Sequence, residues 1–399
     1  MSSNEWRKYK LEEIAEIIGG GTPSTTNPDF WGEEIPWVTP RDLASTDERF
    51  ISCGERNITK KGLQNSSARL LPAGTVLLTT RAPIGYLRIA LNPICTNQGF
   101  KSLIPKADIA DNQFLFYLLK NNVEYLKSVG VGTTFAEISG SALRQIEFQF
   151  PPLPTQRRIA EILSALDDKI ELNRQTNATL EAIAQAIFKE WFVDFDFPGA
   201  TGEMVESELG MIPKGWKILP MDKIADFLNG LALQKYPAEN DYDYLPVIKI
   251  REMKNGITDS SDKASKNLPA KYIVHDGDLL FSWSGSLEII FWVGGDGALN
   301  QHLFKVTSNN YPIWFCYFWI LQYIDKFKGI AEDKTTTMGH IQRHHISEAL
   351  CLIPDKLENI DKVMNPIIEK IINNKKEVIL LAKIRDALLP KLMSGEIEM

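Results

Sequence analysis

Two stretches of the chain place apolar residues at alternating steps of three and four for more than four heptads. From Ile159 to Trp191 the pattern picks out Leu163, Leu166, Ile170, Asn173, Asn177, Leu180, Ala184, Ile187 and Trp191. From Ile360 the same spacing picks out Met364, Ile367, Ile371, Asn374, Val378, Leu381, Arg385, Leu388 and Leu392. A period of 3.5 held that long predicts two long helices that pair as a coiled coil. Both seams carry Asn at one shared position, Asn173 and Asn374, where a polar residue costs stability and fixes register. Thr155 is placed to cap the first helix, and Gly199 and Gly395 lie beyond the two ends. A helix of about 36 residues is about 54 Å long. Paired antiparallel about a two-fold axis, the helices would act as a rigid spacer; the competing arrangement folds each helix onto its own neighbouring domain.

Outside these helices the periodicity changes. Short β-like runs, such as Thr75–Thr80 and Asp278–Trp283, alternate with helical stretches and many Gly and Pro turns. Ile14 and Ile17 suggest a helix that ends in the turn Gly19–Ser24. Tyr311–Ile324 is interrupted by Pro312 and Gln322 and reads as a buried aromatic helix. No run of about 18 uncharged apolar residues exists to span a membrane.

The chain also repeats itself. A shift of 210 places Trp6 on Trp216, Ala15 on Ala225, Gly20 on Gly230, Pro36 on Pro246 and Arg41 on Arg251. A shift of 203 aligns Gly74 with Gly277, Asn97-Gln98 with Asn300-Gln301, Thr133-Thr134 with Thr336-Thr337, and Pro151 with Pro354. A shift of 201 aligns Lys169-Ile170 with Lys370-Ile371, Asn173 with Asn374, Leu180 with Leu381, and Ala186 with Ala387. Ordered matches over nearly the whole length mark an internal duplication. The expected fold class is α+β: two globular α/β domains separated by an antiparallel coiled coil of two long helices, pseudo-two-fold through duplication. The expected boundaries are 1–153 for the first domain, 154–193 for the first helix, 194–212 for a linker, 213–355 for the second domain and 356–399 for the second helix.

Net charge, −7 over 399 residues, at first disfavours a nucleic-acid partner. Its distribution changes that. Residues 1–150 carry 16 basic and 16 acidic side chains, and residues 211–350 carry 15 and 16. Residues 151–210 carry 5 and 11, so the acidity sits on the first helix and linker. Two near-neutral domains can each hold a basic face. Cys53, Cys95, Cys316 and Cys351 have no CxxC spacing, which points to reduced thiols and a cytoplasmic protein. No signal-peptide pattern opens the chain.

A search for catalytic chemistry returns little. Asn27-Pro28-Asp29-Phe30 lacks the second proline of an amino-methyltransferase motif, and Gly19–Ser24 lacks the Gly-Lys-Ser/Thr ending of a phosphate loop. Glu252-Met253-Lys254 with Asp243 could suggest a nuclease, but the duplicated position reads Asp42-Leu43-Ala44. His340, His344 and His345 lack a third metal ligand and the Glu of a zinc protease motif. No Gly-x-Ser-x-Gly elbow is present. No catalytic residue and no metal site are expected.

Gly20-Gly21-Thr22-Pro23-Ser24 followed by Ile35-Pro36-Trp37-Val38 resembles the opening of the recognition domain in type I restriction-modification specificity subunits. Leu77–Gly85 with Asn97-Gln98-Gly99-Phe100 resembles the middle of that domain, and Pro151–Gln156 its closing signature. Phe188–Phe195 at the helix end is also similar to the family. The resemblance covers essentially the whole chain. It departs at Thr155, where the family usually has Glu, and more widely in the second copy, where Ser282-Trp283-Ser284 and Pro354-Asp355-Lys356 replace the matching motifs.

The resemblance implies two target-recognition domains, each reading one half of a bipartite double-stranded DNA target, with the helices setting the unread gap. It implies two methyltransferase subunits docked on the helices, and restriction subunits with ATP-driven translocation as further partners. S-adenosylmethionine, ATP and magnesium would belong to those partners, with no cofactor on this chain. Related alternatives are the recognition subunit of a two-part system that cuts on both sides of its site, and a coiled-coil scaffold that binds protein and no DNA. Base and phosphate contacts favour Arg, Lys, Ser and Thr in loops. The candidates are Arg41, Lys60, Lys61, Arg69, Thr80, Arg81, Thr133 and Thr134 in the first domain. In the second they are Arg251, Lys254, Lys263, Lys266, Lys271, Ser284, Lys334, Thr336 and Arg343. Lys60-Lys61 reads as a polar loop. Asn97, Gln98, Asn300 and Gln301 recur in both copies and are read as structural. Glu181 is taken as an exposed helix charge suited to a mutational control.

Overall fold

A computed structural model describes residues 6–44, 48–132, 136–332 and 339–399. The chain forms two compact units, Met1–Leu172 with Leu380–Met399, and Asn173–Ile379.

The first unit opens with β1 (Arg7–Lys10), α1 (Leu11–Ile14) and β2 (Ala15–Gly19). Ile17 therefore lies in a strand rather than a helix: Ala15 and Ile17 face the core while Glu16 is exposed, the period-2 pattern of a half-buried strand. Next come β3 (Trp31–Val38), α2 (Pro40–Ala44), β4 (Phe50–Ile51), β5 (Arg56–Ile58) and α3 (Lys60–Gln64). After these run β6 (Val76–Thr80), β7 (Ile84–Ala90), β8 (Cys95–Thr96) and β9 (Phe100–Pro105). Helices α4 (Asn112–Asn121), α5 (Val123–Val129) and α6 (Gly140–Gln145) and strand β10 (Glu147–Phe150) complete the domain. One sheet has the order β2-β9-β6-β7-β4, a second β5-β3-β8, and β1 pairs with β10. Lys60 and Lys61 sit on α3 rather than in a loop, because Thr59 caps it by accepting from Gly62 N.

Helix α7 runs Leu153–Phe192. It begins before Thr155, so that residue is inside the first turn and is not the cap. Pro154 is tolerated there because first-turn N–H groups have no helical partner. Gln156 is buried; its amide donates to Ile109 O and Pro151 O (2.9 Å each) and its carbonyl accepts from Asp111 N (3.0 Å). The proline-rich signature thus ties the helix start to the domain.

The second unit repeats the plan. A hairpin of β11 (Met204–Ser207) and β12 (Gly210–Pro213) precedes β13 (Lys217–Pro220), α8 (Met221–Ile224) and β14 (Asp226–Asn229). Then come β15 (Leu245–Ile248), α9 (Ile250–Asn255), β16 (Lys263–Ala264), β17 (Ile273–Val274) and β18 (Leu279–Ser282). Strands β19 (Ile289–Phe291), β20 (Gly297–Leu299) and β21 (Leu303–Thr307) lead to α10 (Ile313–Glu332), α11 (Arg343–Ser347), β22 (Leu350–Ile353) and α12 (Glu358–Ser394). The pairings β13–β22, β14–β21–β18–β19 and parallel β15–β20 copy β1–β10, β2–β9–β6–β7 and parallel β3–β8. The aromatic run from Tyr311 is helical: Trp314, Phe315, Phe318 and Trp319 are buried, and Trp314 donates to Asp361 Oδ1 (2.7 Å).

In each unit the two long helices lie antiparallel. Within the first, Leu163 shares a core with Leu389, Leu392 and Met393, and Arg385 binds Asp167 (2.6 Å). Within the second, Asn374 donates to Asn177 Oδ1 (2.9 Å), Asn177 donates to Ile371 O (3.1 Å) and Asn173 donates to Glu377 (2.8 Å). Leu163, Ile170, Asn173, Ile371 and Asn374 are buried, whereas Leu166, Leu180, Ile187, Ile367, Val378, Leu381 and Leu388 are half-buried. Phe188, Phe192, Ile368, Leu389 and Met393 are buried although they lie off the strict seam. The apolar face is wider than a two-stranded seam because each helix packs on its partner and on a domain.

Candidate nucleic-acid interface

The domain frame converges on the end of β6. Thr80 N donates to Gly99 O (2.8 Å), and Ile138 N donates to Thr80 O (3.0 Å). This clamps the loop after α5 against the strand end and makes an antiparallel bridge between Arg81 and Glu137. Around it stand Arg81 Nε, 3.9 Å from Glu137, and Lys101 Nζ, 4.0 Å from the same carboxylate. Arg144, on α6, donates to Ile17 O (3.3 Å) and flanks Gly140 together with Lys101. Two cations thus flank one carboxylate, with Arg144 beside Lys101 at Gly140, and the Arg81 side chain is about half exposed at 52%.

The second domain rebuilds this frame at a shift of 203. Trp283 N donates to His302 O (3.4 Å), Ile341 N donates to Trp283 O (3.0 Å), and Ser284 bridges His340. Arg343 repeats Arg144: it donates to Phe227 O (3.3 Å), and Phe227 is the duplicate of Ile17. The side chains differ throughout. Ser284 stands for Arg81, His340 for Glu137 and Phe304 for Lys101. Ser284 Oγ is 3.0 Å from His302 Nδ1, and Trp283 donates its indole N–H to Asn229 Oδ1 (3.0 Å) and Gln301 O (3.2 Å).

Beneath both frames lies one repeated turn. Asn97 Oδ1 accepts from Gly99 N (2.9 Å), and Asn300 Oδ1 accepts from His302 N (3.2 Å). A Cβ on Gly20 would lie 1.9 Å from Asn97 O, and one on Gly230 2.2 Å from Asn300 O. The glycines are there because two backbones touch. Thr22 and Gln98 are hydrogen-bonded through Oγ1 and Oε1. These contacts fit the structural reading of the Asn-Gln pairs.

The remaining candidates scatter. Thr80 is fully buried and Ser284 is 5% exposed, so neither side chain is presented to solvent; both hold the frame. Arg41 and Arg69 are exposed. Lys61 pairs with Asp29 (2.6 Å), and Lys60 N is bound by Glu34 (2.6 Å). Lys254 contacts Ser286 (2.8 Å) and Glu288 (3.2 Å), Lys263 contacts Asp241 (2.7 Å), and Lys266 pairs with Asp243. The Lys263 hydrogen bond holds Asp241 below the usual carboxylate range, and Asp241 raises Lys263. Lys271 lies over the Tyr272 ring at 5.1 Å. Arg251 donates to Glu252, a buried carboxylate that also accepts from Lys249 N (3.2 Å) and Ser261 (3.0 Å). Asp42, its duplicate, accepts from Thr39 N (2.7 Å) and Glu55 N (2.8 Å). Both carboxylates therefore organise a loop, which accounts for the Glu252-Met253-Lys254 resemblance to a nuclease motif. Thr133, Thr134, Lys334 and Thr336 lie outside the described residues.

Lys101 and Arg144 were missed by the sequence reading, as was Arg56, whose guanidinium lies 3.9 Å over the Trp31 ring. The Arg144–Arg343 equivalence needs a shift of 199, beyond the shifts traced through the motifs.

The family model described as the type I restriction modification DNA specificity domain matches residues 3–182 and again 213–382. The chain belongs to this family. As a specificity subunit of a type I restriction-modification system it has two target-recognition domains, and it is the recognising chain of its system rather than a catalytic one. It is 36% identical to the type I restriction enzyme MjaIX specificity subunit of Methanocaldococcus jannaschii, over 98% of this chain and 94% of that one. It is 25% identical to the HindI specificity subunit of Haemophilus influenzae, over 99% and 100%. The crystal structure of an S subunit from M. genitalium shares its fold, with a TM-score of 0.64 at 16% identity over 98% of this specificity subunit and 97% of the other. No described helix of the subunit is long and apolar enough to cross a membrane.

Proposed function

We propose that each target-recognition domain reads one half of a bipartite DNA site through the loop frame at the end of its sixth-strand equivalent. One observation carries this reading: the two frames share their backbone hydrogen bonds and differ in the side chains they present. Domains that read different half-sites need that combination. In the first domain Arg81 is suited to the paired acceptors of guanine, and Glu137 to the exocyclic amine of cytosine. Lys101, Arg144, Arg41 and Arg69 supply phosphate contacts. In the second domain His340, His302 and Arg343 take these roles, with Arg251 and Lys271 at the margin. Lys61, Lys254, Lys263 and Lys266 would first have to leave a carboxylate.

Two methyltransferase subunits dock on α7 and α12 in this reading and bring S-adenosylmethionine. Restriction subunits bring ATP and magnesium. The helices set the length of the unread gap. The acidic balance of residues 151–210 favours protein over DNA as the partner of α7 and its linker.

The test is Arg81→Ala in the assembled methyltransferase complex. Loss of a bidentate base contact weakens cognate binding by about 1–3 kcal/mol, roughly five- to 150-fold, and relaxes specificity at one position. Glu181 does not serve as the inert control, because it accepts from Lys375 (2.9 Å). Asp108, exposed in the loop before α4 and outside both long helices, replaces it. Equal gel-shift affinities for Arg81→Ala and Asp108→Ala would remove Arg81 from the reading surface.

A further inference from the structure

We propose that the Asp167–Arg385 ion pair selects the pairing of α7 with α12 inside one chain over pairing of either helix with its twin in a second copy. Duplication creates the problem. Helices with the same seam, and Asn at the same position, can pair homotypically as readily as heterotypically unless something distinguishes them.

The distinguishing residues occupy one pair of equivalent sites. Arg385 Nη1 lies 2.6 Å from Asp167 Oδ1, with side-chain exposures of 16% and 11%. The other carboxylate oxygen of Asp167 accepts from Tyr117 (2.6 Å), and the Tyr117 oxygen accepts from Arg49 (3.0 Å). The shift of 201 that superposes the helices carries Asp167 onto Ile368 and Arg385 onto Ala184. Those two are 3% and 0% exposed and belong to one apolar core in the second unit. The same antiparallel contact is therefore ionic in one unit and apolar in the other.

Homotypic pairing would break this match. Two α7 helices from separate copies would set Asp167 against Ala184, leaving its charge without Arg385. Two α12 helices would set Arg385 against Ile368. A second mismatch adds to this: Asn374, bound to Asn177 in the native pair, would face Val378. A buried charge stripped of its partner is among the most costly faults a packed interface can carry. The route to exchange is available, since residues 198–203 are exposed and Gly199 and Gly202 have positive φ with open space around them.

The experiment co-expresses two full-length chains with different tags, one carrying Asp167→Arg and the other Arg385→Asp. Each variant alone places like charges together and should yield at least tenfold less soluble monomer than wild type. Together, exchanged pairing restores both opposite-charge contacts, so cross-capture should exceed that of two tagged wild-type chains at least tenfold, with the mass of a dimer by light scattering. A second variant, Asp167→Ile with Arg385→Ala in one chain, copies the apolar contact of the other unit. With no charge left to oppose pairing of α7 with α7 and α12 with α12, it should fold and give at least tenfold more cross-capture between tagged copies than wild type. Cross-capture no greater than wild type in the double variant overturns the proposal, and so do stable monomers from each charge variant alone.

Discussion

Arg81 and Ser284 hold one backbone position in two different chemistries, and the same contrast between frame and occupant runs through the buried polar residues. Asp42 and Glu252 both order the loop behind their strand, and Glu252 also accepts from Arg251. Burial also governs the thiols and phenols. It pushes Cys95 up to about 11 and Cys316 to about 12 from an ordinary 9.0, and raises Cys351 further. Burial, with Glu181 second, pushes Tyr317 up to about 12; burial and then Asp167 raise Tyr117. A group whose folded pKa exceeds its unfolded value stabilises fully below the unfolded value and loses that contribution as pH rises. Stability should therefore hold up to about pH 8.5 and then decline, by about 1.4 kcal/mol per pH unit for each thiol titrating in the unfolded chain. Urea midpoints between pH 8 and 10.5 check this, and a constant midpoint across that range contradicts it. The sequence could not rank surface cations, because a lysine is removed from contention by a carboxylate distant along the chain, as Asp241 does to Lys263 across 22 residues.

At the level of elements, periodicity proved the stronger guide and local breakers the weaker. Pro366 and Pro390 lie inside α12 and yet the helix runs on, because seam and domain contacts outweigh the lost backbone hydrogen bonds. The same signal failed for short elements: α1 ends at Ile14, and β2 takes Ile17, where four residues cannot establish a period. The turn that joins Gly20 to Asn97 was legible as paired motifs, but not as a contact. Its tightness makes a signed prediction. Gly20→Ala forces a methyl to 1.9 Å from a carbonyl oxygen and should cost about 1–3 kcal/mol or more. Gly329→Ala, inside α10 with open space at its Cβ position, should instead stabilise by about 0.5–1 kcal/mol. Thermal or urea unfolding of the two variants gives opposite shifts; matching signs would mean that the Gly20 turn relaxes freely.

The duplication organises the whole molecule, and it was legible because motifs survive in order while loop lengths change. What it hid was the partition: the compact units divide α7 between Leu172 and Asn173, and α12 between Ile379 and Leu380, inside elements that periodicity treats as continuous. This partition allows the spacer role to be tested without disturbing either core. Four residues inserted after Leu172 add about 6 Å of helix and rotate the remainder of α7 by about 40°. Placed in α7 alone, they would force its later seam residues out of line with α12. Matched insertions after Leu172 and after Ile379 lengthen both strands of the pair and leave Asp167 with Arg385 and Asn177 with Asn374. At 3.4 Å per base pair, the added 6 Å corresponds to one or two base pairs. If the helices set the gap, the double insertion should yield a DNA-methylation motif with the same two half-sites and a gap longer by about that amount, read directly by single-molecule sequencing of the host genome. Unchanged spacing with methylation retained would mean that the gap is set elsewhere, because two helices lengthened in register cannot hold their original reach.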